Sequence, residues 1–281
     1  MKKVIIFNAS ASLYGAERGL LNIIRALGGG FDITVVIPKN GPLAERIKKV
    51  SSSVNIMVFP LAVLTFSLSP LYFAKFIFLF FVDFFFFLFY INYNNIDIVS
   101  TNSLLLAFPA LCARLLNKPH IWHIREVFPY TFVNYFLSCY IKVFSYRVIC
   151  QSAFIKQKLH LKHRTNIVYE PLDKEDYGIY SYNEARRMLK LPLKATVVSV
   201  ISRIHPAKGQ YEFLLNSQEL LHKNRNIVIL IAGDMSISTF RNRRYKRKIE
   251  EFVRKHNLRN VVILGFIENI GLVLSATDIC V

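Results

Sequence analysis

The strongest constraint on the fold is an alternation of apolar runs and a helical pattern within residues 196–234. Residues 196–202 and 227–233 are short and rich in β-branched side chains, as expected of strands buried on both faces. Between them, leucines and a phenylalanine recur near helical spacing. This pattern predicts a βαβ unit with a right-handed crossover and a parallel sheet.

The loop after the first of these strands carries two cations, Arg203 and Lys208, beside Gly209. Parallel sheets bind ligands at the carboxyl ends of their strands, where a helix amino terminus offers free N–H groups and a partial positive charge. An arginine adds two hydrogen-bond donors in a geometry that suits phosphate. Either cation alone would more often be a solvated loop charge, but the pair at this place predicts a diphosphate site.

The segments SVISRIHPAKGQYEFLLNSQELL and IVILIAGD resemble the donor-binding core of family 4 of the retaining glycosyltransferases. The later segment VVILGFIENIGLVLSATDICV is also similar to that family. The resemblance implies the α/β fold called GT-B, with two Rossmann-like, doubly wound parallel-sheet domains that face a cleft, the second incomplete. It implies an acceptor-side domain over residues 1–171 and a nucleotide-sugar-binding domain over residues 172–281.

The resemblance also implies roles for single residues. Arg203 and Lys208 match cations that hold the donor diphosphate. His123, in the segment WHIRE, fits a histidine near the transferred sugar and is the candidate catalytic residue, although a lone histidine on a strand is more often structural. Arg125 and Glu126 are weaker candidates for acceptor contacts. The loop at Glu268 stands where the family binds the nucleobase, mostly through backbone.

The first loop, NASASLYGAERG, resembles a loop that in the family lies near the acceptor and the donor phosphates. Gly15, Ala16 and Glu17 match that loop, whereas Tyr14 replaces a glycine. The residues by themselves equally favour a plain helix start, in which Glu17 complements the helix dipole. Glu170 stands where family members often carry asparagine, so no donor contact is assigned to it.

The net charge of +18 over 281 residues implies an anionic partner: lipid headgroups, nucleic acid or a phosphorylated substrate. The densest basic run, residues 241–248, predicts a solvated helix, and no nucleic-acid motif accompanies it, so no specific nucleic acid is expected. The absence of GxGxxG counts against a dinucleotide enzyme. No Asp-x-Asp triplet is present, and neither a cofactor nor a metal is expected, with the nucleotide-sugar acting as a substrate.

Residues 71–91 are almost uniformly apolar apart from Lys75 and Asp83, and their length meets the roughly 20 residues that a membrane span needs. The two charges argue against a span, as do the strands predicted on both sides, because a span would split one sheet across the bilayer. We predict that one side of this helix packs on protein and the other enters the cytoplasmic leaflet, assisted by anionic lipid. A fully buried helix ranks second and a true span third.

The apolar run at the start of the chain ends at Asn8, too early for a signal peptide, whose apolar core needs about 7–15 residues. Four cysteines without a CxxC pair are predicted to be buried thiols in a reducing compartment: Cys112, Cys139, Cys150 and Cys280. We therefore expect a cytoplasmic chain, peripheral or monotopic on the inner face of the membrane.

With the resemblance, the expected function is retaining, metal-independent transfer of a sugar from a nucleotide-sugar to a lipid-linked or polysaccharide (glycan) acceptor, in cell-envelope or capsule type synthesis. The family carries two further glutamates in a segment that would follow Val281, so the chain is expected to be a fragment or a truncated product with weak or no activity alone. The alternatives are a catalytically dead module that binds anionic membrane or nucleic acid, and a different nucleotide-using Rossmann enzyme.

Overall fold

The computed structural model of the protein describes residues 1–64, 70–128, 130–162, 164–171, 178, 180–234 and 240–281. The chain divides into two units, Met1–Pro171 (unit 1) and Leu172–Val281 (unit 2). Each unit is built on a parallel sheet, so the α/β class predicted from the sequence is confirmed.

Unit 1 contains a sheet of seven parallel strands: β1 (Lys2–Phe7), β2 (Phe31–Ile37), β3 (Asn55–Val58), β4 (Ile98–Thr101), β5 (His120–Ile124), β6 (Arg147–Cys150) and β7 (Thr165–Ile167). Their order is β3-β2-β1-β4-β5-β6-β7. The direction of progression along the sheet reverses between β1 and β4, which makes the carboxyl edge there a topological switch point, the usual place for a ligand.

The helices of unit 1 are α1 (Gly15–Leu27), α2 (Pro42–Val50), α3 (Pro70–Tyr93), α4 (Phe108–Leu115), α5 (Thr131–Phe144) and α6 (Ala153–Lys158). Alternate strand residues point to opposite faces of the sheet. Val4 and Ile6 of β1 pack with α1 and α2, whereas Ile5 and Phe7 pack with α3 and α4. Since α4 also belongs to a third cluster with α5 and α6, helices α3 to α6 share one face.

Helix α3 is the apolar segment predicted from the sequence, and it is one-sided. Phe87 and Ile91 are buried against the sheet, while Phe78 and Phe89 are 67% and 69% exposed. The fully buried alternative is therefore wrong. Within the described residues, α3 is the one helix long and apolar enough to cross a membrane, by length and composition alone.

The single carboxylate of α3 is buried against its own unit. Asp83 Oδ2 accepts a 2.6 Å hydrogen bond from the backbone N–H of Ala62. Burial raises the pKa of Asp83 to about 6, against the opposing effect of the Ala62 hydrogen bond. The charge that argued against a membrane span thus holds the helix to the loop before it.

The segments directly before α4 and α5 form loops. Before α4, the Asn102 amide donates to the carbonyl oxygen of Ala16, and Glu126 accepts from the backbone N–H of Leu104. Before α5, which begins at Thr131, Asn134 exchanges two hydrogen bonds with the backbone of Phe128. Bonds between side chains and backbone compete with helix formation.

The cysteine prediction is half right. Cys112 and Cys150 are buried free thiols, and burial raises the pKa of Cys112 to about 12 and that of Cys150 to about 11. Cys139 and Cys280 are exposed, which contradicts the expectation that all four lie inside. Cys139 lies on the outer face of α5, whose apolar pattern does not reveal which side meets the sheet.

Unit 2 contains a sheet of four parallel strands, β8 (Thr196–Ile201), β9 (Ile227–Ala232), β10 (Val261–Gly265) and β11 (Ile279–Cys280), in the order β10-β9-β8-β11. Its helices are α7 (Tyr182–Met188), α8 (Gln210–Lys223), α9 (Phe240–Lys255) and α10 (Ile270–Ser275). Helices α7 and α10 cover one face and α8 and α9 the other. The predicted βαβ unit, β8-α8-β9, is confirmed.

One buried arginine ties unit 2 together. Arg186 of α7 is fully buried and donates to the carbonyl oxygens of Pro192, Leu193, Ala195 and Ala276. Its Nη2 lies 2.5 Å from Asp278 Oδ2, just before β11. Burial would raise the pKa of Asp278, but hydrogen bonds from Val197 N–H, Tyr182 and Arg186 lower it overall.

Candidate functional site

The carboxyl edge of the unit 1 sheet brings together four polar side chains. The centre is Arg125, which follows β5: its Nε and Nη2 lie 2.8 Å and 2.6 Å from Glu170 Oε1. Arg125 Nη1 also donates to Asn102 Oδ1. The Asn102 amide in turn donates to Asn8 Oδ1, at 2.6 Å, and to the carbonyl oxygen of Ala16, at 3.2 Å. This network joins the ends of β1, β4 and β5, the start of α1 and the segment beyond β7.

A glycine of α1 makes room for the ion pair. A Cβ atom on Gly19 would lie 2.4 Å from Glu170 Oε1 and 2.5 Å from Arg125 Nη2. Because glycine costs about 1 kcal/mol in a helix interior, its presence here has a packing reason. Sequence reasoning did not find Gly19, and the available signal was a second glycine within the first turns of an otherwise regular helix.

Sequence reasoning also missed Asn8, Asn102 and Glu170. Each of the two asparagines directly follows a strand, a position from which a side chain reaches the ligand edge of a parallel sheet. Glu170 was set aside because it departs from the family pattern. In the structure Glu170 forms an ion pair with Arg125. The pair is largely shielded from solvent, with side-chain exposures of 25% for Glu170 and 8% for Arg125.

His123 lines a cavity of about 290 Å³ beside this ion pair. On β5 it points to the face opposite Trp122 and Ile124, towards α1. Burial, together with the nearby charge of Arg125, lowers the pKa of His123 to about 4. The imidazole is therefore neutral at neutral pH and offers one donor and one acceptor. The lining is otherwise mostly apolar and includes Ile23, Ala26, Ile149, Val168 and Tyr169.

The neighbouring His120 has a different environment. It is buried, its Nε2 lies 2.9 Å from Thr101 Oγ1, and burial lowers its pKa to about 3. Of the two histidines of β5, His123 is the one that lines the cavity. His123 is also the histidine that the family resemblance selected, and its role in catalysis stays a prediction.

The two predicted cleft glutamates bind groups of unit 1: Glu17 binds the backbone of its own loop, and Glu126 binds the loop after β4. Glu17 is 5% exposed, and its Oε2 accepts a 3.0 Å hydrogen bond from Tyr14 N–H. Glu126 Oε1 accepts hydrogen bonds of 2.8 Å from both Ser103 Oγ and Leu104 N–H. Ala16 contributes its carbonyl oxygen to the Asn102 network, and no atom lies within 4 Å of where a Cβ on Gly15 would be. Acceptor contacts by these residues stay predictions.

In unit 2, Arg203 and Lys208 are exposed in the loop between β8 and α8. Lys208 ends a single 3₁₀ turn, Pro206–Lys208, and Gly209 caps α8 with a left-handed φ of 70°. Buried Gln210 fixes the loop, since its Nε2 donates to Ser202 Oγ at 2.9 Å and to the carbonyl of Arg203 at 2.8 Å. The two predicted phosphate ligands are thus held on a short, anchored loop at a helix amino terminus.

The end of β9 passes close to this loop. Gly233 has a φ of 141°, and a Cβ there would lie 2.1 Å from the carbonyl oxygen of Ser202. The next residue, Asp234, pairs with Lys246 of α9 at 3.2 Å. Tyr245 of α9 accepts from the backbone N–H of Tyr211 at 3.0 Å, so the amino-terminal part of α9 lies beside the start of α8. The basic run therefore adds positive potential at the Lys208 end of the sheet.

Asn269, in the predicted nucleobase loop, caps α10 by accepting from Gly271 N–H at 3.1 Å and donates to the Tyr180 hydroxyl at 2.8 Å. Its side chain is used within the unit, and a contact of this loop with a nucleobase stays a prediction.

No family model matches the sequence, and no curated protein matches it either. Solved structures do match. Anabaena Alr3699/HepE, in complex with UDP and glucose, superposes with a TM-score of 0.75 at 19% identity over 100% of this chain and 73% of its own. A glycosyltransferase from Rickettsia africae gives 0.72 at 18% identity, over 99% and 72%. Sucrose-phosphate synthase from Thermosynechococcus elongatus gives 0.70 at 15%, over 100% and 75%. At these identities the likeness shows the GT-B fold.

Proposed function

We propose that the protein is a retaining glycosyltransferase, similar to family 4, that moves a sugar from a nucleotide-sugar to a lipid-linked or polysaccharide acceptor. The observation that carries the proposal is the Arg203–Lys208 loop, which presents two exposed cations at the carboxyl end of β8 and at the start of α8. The GT-B fold and the UDP and UDP-glucose complexes of HepE support a nucleotide-sugar donor.

In the proposed reaction, the donor diphosphate binds the N–H groups at the start of α8 together with Arg203 and Lys208. When the glycosidic bond to the diphosphate breaks, negative charge grows on the leaving oxygen. Two fixed cations and a helix amino terminus stabilise that charge more strongly than the ground state, which is how such sites lower barriers. Gln210 and Gly233 serve this function indirectly, because they fix the backbone that carries Arg203.

In unit 1, we assign the cavity beside Arg125 and Glu170 to the acceptor side of the reaction. A neutral His123 would hydrogen-bond a sugar hydroxyl without adding a charge, which suits a contact to the transferred sugar. Arg125 is bound to Glu170 and Asn102 and acts as a positioning residue for the cavity wall. The apolar lining suits the ring faces of a sugar or the start of a lipid.

For location, we propose peripheral or monotopic docking on the inner face of the membrane. The outward sides of α3 and α5 expose many aromatic side chains, among them Phe78, Phe89 and Phe136. A monomeric soluble protein rarely leaves large apolar patches uncovered. The net charge of +18 would add attraction to anionic lipid.

The test of the donor site is calorimetric titration of the purified chain with UDP, GDP and ADP, followed by UDP-sugars. Lys208→Ala and Arg203→Ala should each weaken the binding of the preferred diphosphate by about tenfold or more, since hydrogen bonds to charged groups contribute about 1.5–3 kcal/mol. Lys223→Ala, at the other end of α8, is the matched control and should change nothing. If the chain binds anionic vesicles but no nucleoside diphosphate, the alternative of a catalytically dead membrane-binding module is favoured.

A further inference from the structure

A second cavity of unit 1, of about 460 Å³, lies at the amino edge of the sheet, opposite the candidate site. It opens where α4 leads into β5, where α5 leads into β6 and where the chain enters β7. Its lining includes Arg114, Lys118, Ser145, Tyr146 and Arg164. We refer to it as the amino-edge cavity, and no role proposed above uses it.

The amino-edge cavity carries three cations and no carboxylate among its lining residues. Within the described part of the chain, the side chains of Arg114, Lys118 and Arg164 have neither a hydrogen bond nor an ion pair. Three neighbouring cations without a counter-charge repel one another, so the site favours an anion that bridges them.

Favourable interaction with a helix dipole explains the position of only one of these three cations. Arg114 lies in the last turn of α4, where a cation complements the free carbonyl groups. Lys118 and Arg164 lie in loops, Lys118 two residues before β5 and Arg164 directly before β7. Their convergence on one cavity is a property of the strand order and not of any helix end.

Ser145, one of the residues that line the same cavity, carries an unpaired hydroxyl. Ser145 is 7% exposed, and its Oγ is buried without a hydrogen-bond partner among the described residues. Buried polar groups nearly always have a partner, and a lone one next to a cavity marks a place where a bound oxygen would supply it. A hydroxyl donates to a phosphate oxygen, as the three cations do.

The cavity also ends an apolar stripe. Phe132, Phe136 and Val143 of α5 are 65%, 69% and 61% exposed, and their spacing places them on one side of the helix. Val143 is at once the last member of this stripe and a lining residue of the cavity. An anion held by the cations would therefore have an apolar path beside it, which a free phosphate does not need and an acyl chain does.

We propose that the amino-edge cavity binds the phosphate of an anionic phospholipid headgroup while the stripe on α5 meets the acyl region. The inference rests on the docking part of the proposed function and is independent of sugar transfer. It adds a specific headgroup contact to what would otherwise be a diffuse attraction between a basic protein and an anionic surface.

The experiment measures partition of the full chain into phosphatidylcholine vesicles with and without phosphatidylglycerol, at about 0.15 M salt. The site variant is Arg114→Gln, Lys118→Gln and Arg164→Gln combined.

The control carries Lys39→Gln, Lys48→Gln and Lys49→Gln, which remove the same charge from α2 and the loop before it, on the other face of the sheet. Each cation close to an anionic surface is worth about fivefold in partition, so the site variant should lose about 100-fold. The control should lose less than about threefold, since screening acts within about 8 Å.

Equal losses in the two variants would overturn the inference and leave diffuse docking intact. If the unsubstituted chain fails to bind anionic vesicles, docking itself is wrong and the headgroup site falls with it. Circular dichroism of both variants checks that each is folded, and a folded site variant with unchanged binding also counts against the proposal.

A second measurement separates a lipid headgroup from free phosphate. Amide chemical shifts of Lys118, Ser145 and Tyr146 are followed during titration with lysophosphatidylglycerol below its micelle concentration, and then with inorganic phosphate alone. The lipid should bind at least tenfold more tightly, and Ser145→Ala should weaken it severalfold without lowering the melting temperature. Equal affinity for the two probes would reassign the cavity to a soluble phosphate.

Discussion

The two helix layers on the unit 1 sheet carry similar side chains on their inner sides and very different side chains on their outer sides. Inner residues of both layers are fully buried apolar side chains, such as Leu20 of α1 and Phe87 of α3. The outer surface of α2 is charged, with Lys48 and Lys49 exposed. The outer surface of α3 presents phenylalanines, of which Phe85 is 63% exposed. The inner sides of both layers are apolar because they pack on the sheet. The outer sides differ, which indicates that the two layers have different surroundings.

The largest effect should appear when the outer face of α3 loses its rings. Phe78→Gln, Phe85→Gln and Phe89→Gln combined should reduce partition into anionic vesicles by at least about 1,000-fold, because burying each ring contributes roughly 1.5–3 kcal/mol. Vesicle sedimentation measures this loss. Unfolding free energy in urea should change by less than about 1 kcal/mol, and strong vesicle binding by the triple variant would show that α3 does not dock.

An inner ring of the same helix should behave in the opposite way. Phe87 is fully buried, with its ring 4.8 Å from that of Phe7 and 5.6 Å from that of Phe108. Phe87→Ala should lower the unfolding free energy by about 3–5 kcal/mol, since a cavity adds to the lost burial. Urea denaturation gives this value, with Phe85→Ala as the matched control. Similar losses for the two variants would contradict the one-sided packing of α3.

In the helix layer that contains α1, the substitution expected to affect stability lies next to the ion pair of Arg125 and Glu170. Gly19→Ala places a methyl group against the side-chain ends of Arg125 and Glu170, which must shift and loosen their ion pair, and should cost about 1 kcal/mol, at the low end for overpacking. Gly15→Ala, also in α1, meets no atom within 4 Å and should be neutral or slightly stabilising. Thermal melts of the two variants distinguish them, and equal behaviour would mean that α1 does not hold Glu170 in place.

A pH-dependent effect should come from the buried carboxyl of α3. The pKa of Asp83 is raised from 3.8 to about 6, so the folded state binds its proton more readily than the unfolded state. Its contribution to stability is therefore greatest below about pH 4 and is lost as pH rises through 6, by roughly 3 kcal/mol at about 1.4 kcal/mol per pKa unit.

Asp83→Asn keeps an oxygen for Ala62 N–H and removes the titration. The difference in unfolding free energy between this variant and the unsubstituted chain should grow in favour of the variant between pH 4 and pH 7. Comparing the two chains cancels the opposite dependence of His120 and His123, whose lowered pKa values favour the folded state at higher pH. A difference that stays flat over this range would contradict the raised pKa.

Local pattern was enough to predict most of the fold. Strands such as β8 and β9 carry β-branched runs of the right length, and their parallel pairing follows from the helix between them. The same pattern located the loop of Arg203 and Lys208, because a loop between a strand and its crossover helix has a fixed place in such a unit. The prediction erred for Cys139 and Cys280, which are exposed, because a local apolar pattern does not reveal which side of an element meets the rest of the unit.

What the sequence by itself determined is therefore local: the order of strands and helices, the apolar character of α3 and the position of the candidate phosphate loop. Tertiary structure decided which distant groups meet. Arg125 and Glu170 are separated by 45 positions and Asn8 and Asn102 by 94, and they touch only because the fold brings the segments that follow their strands to one edge of the sheet. The side of α3 that faces outward was decided in the same way. Periodicity describes one element at a time, whereas such contacts depend on the arrangement of several.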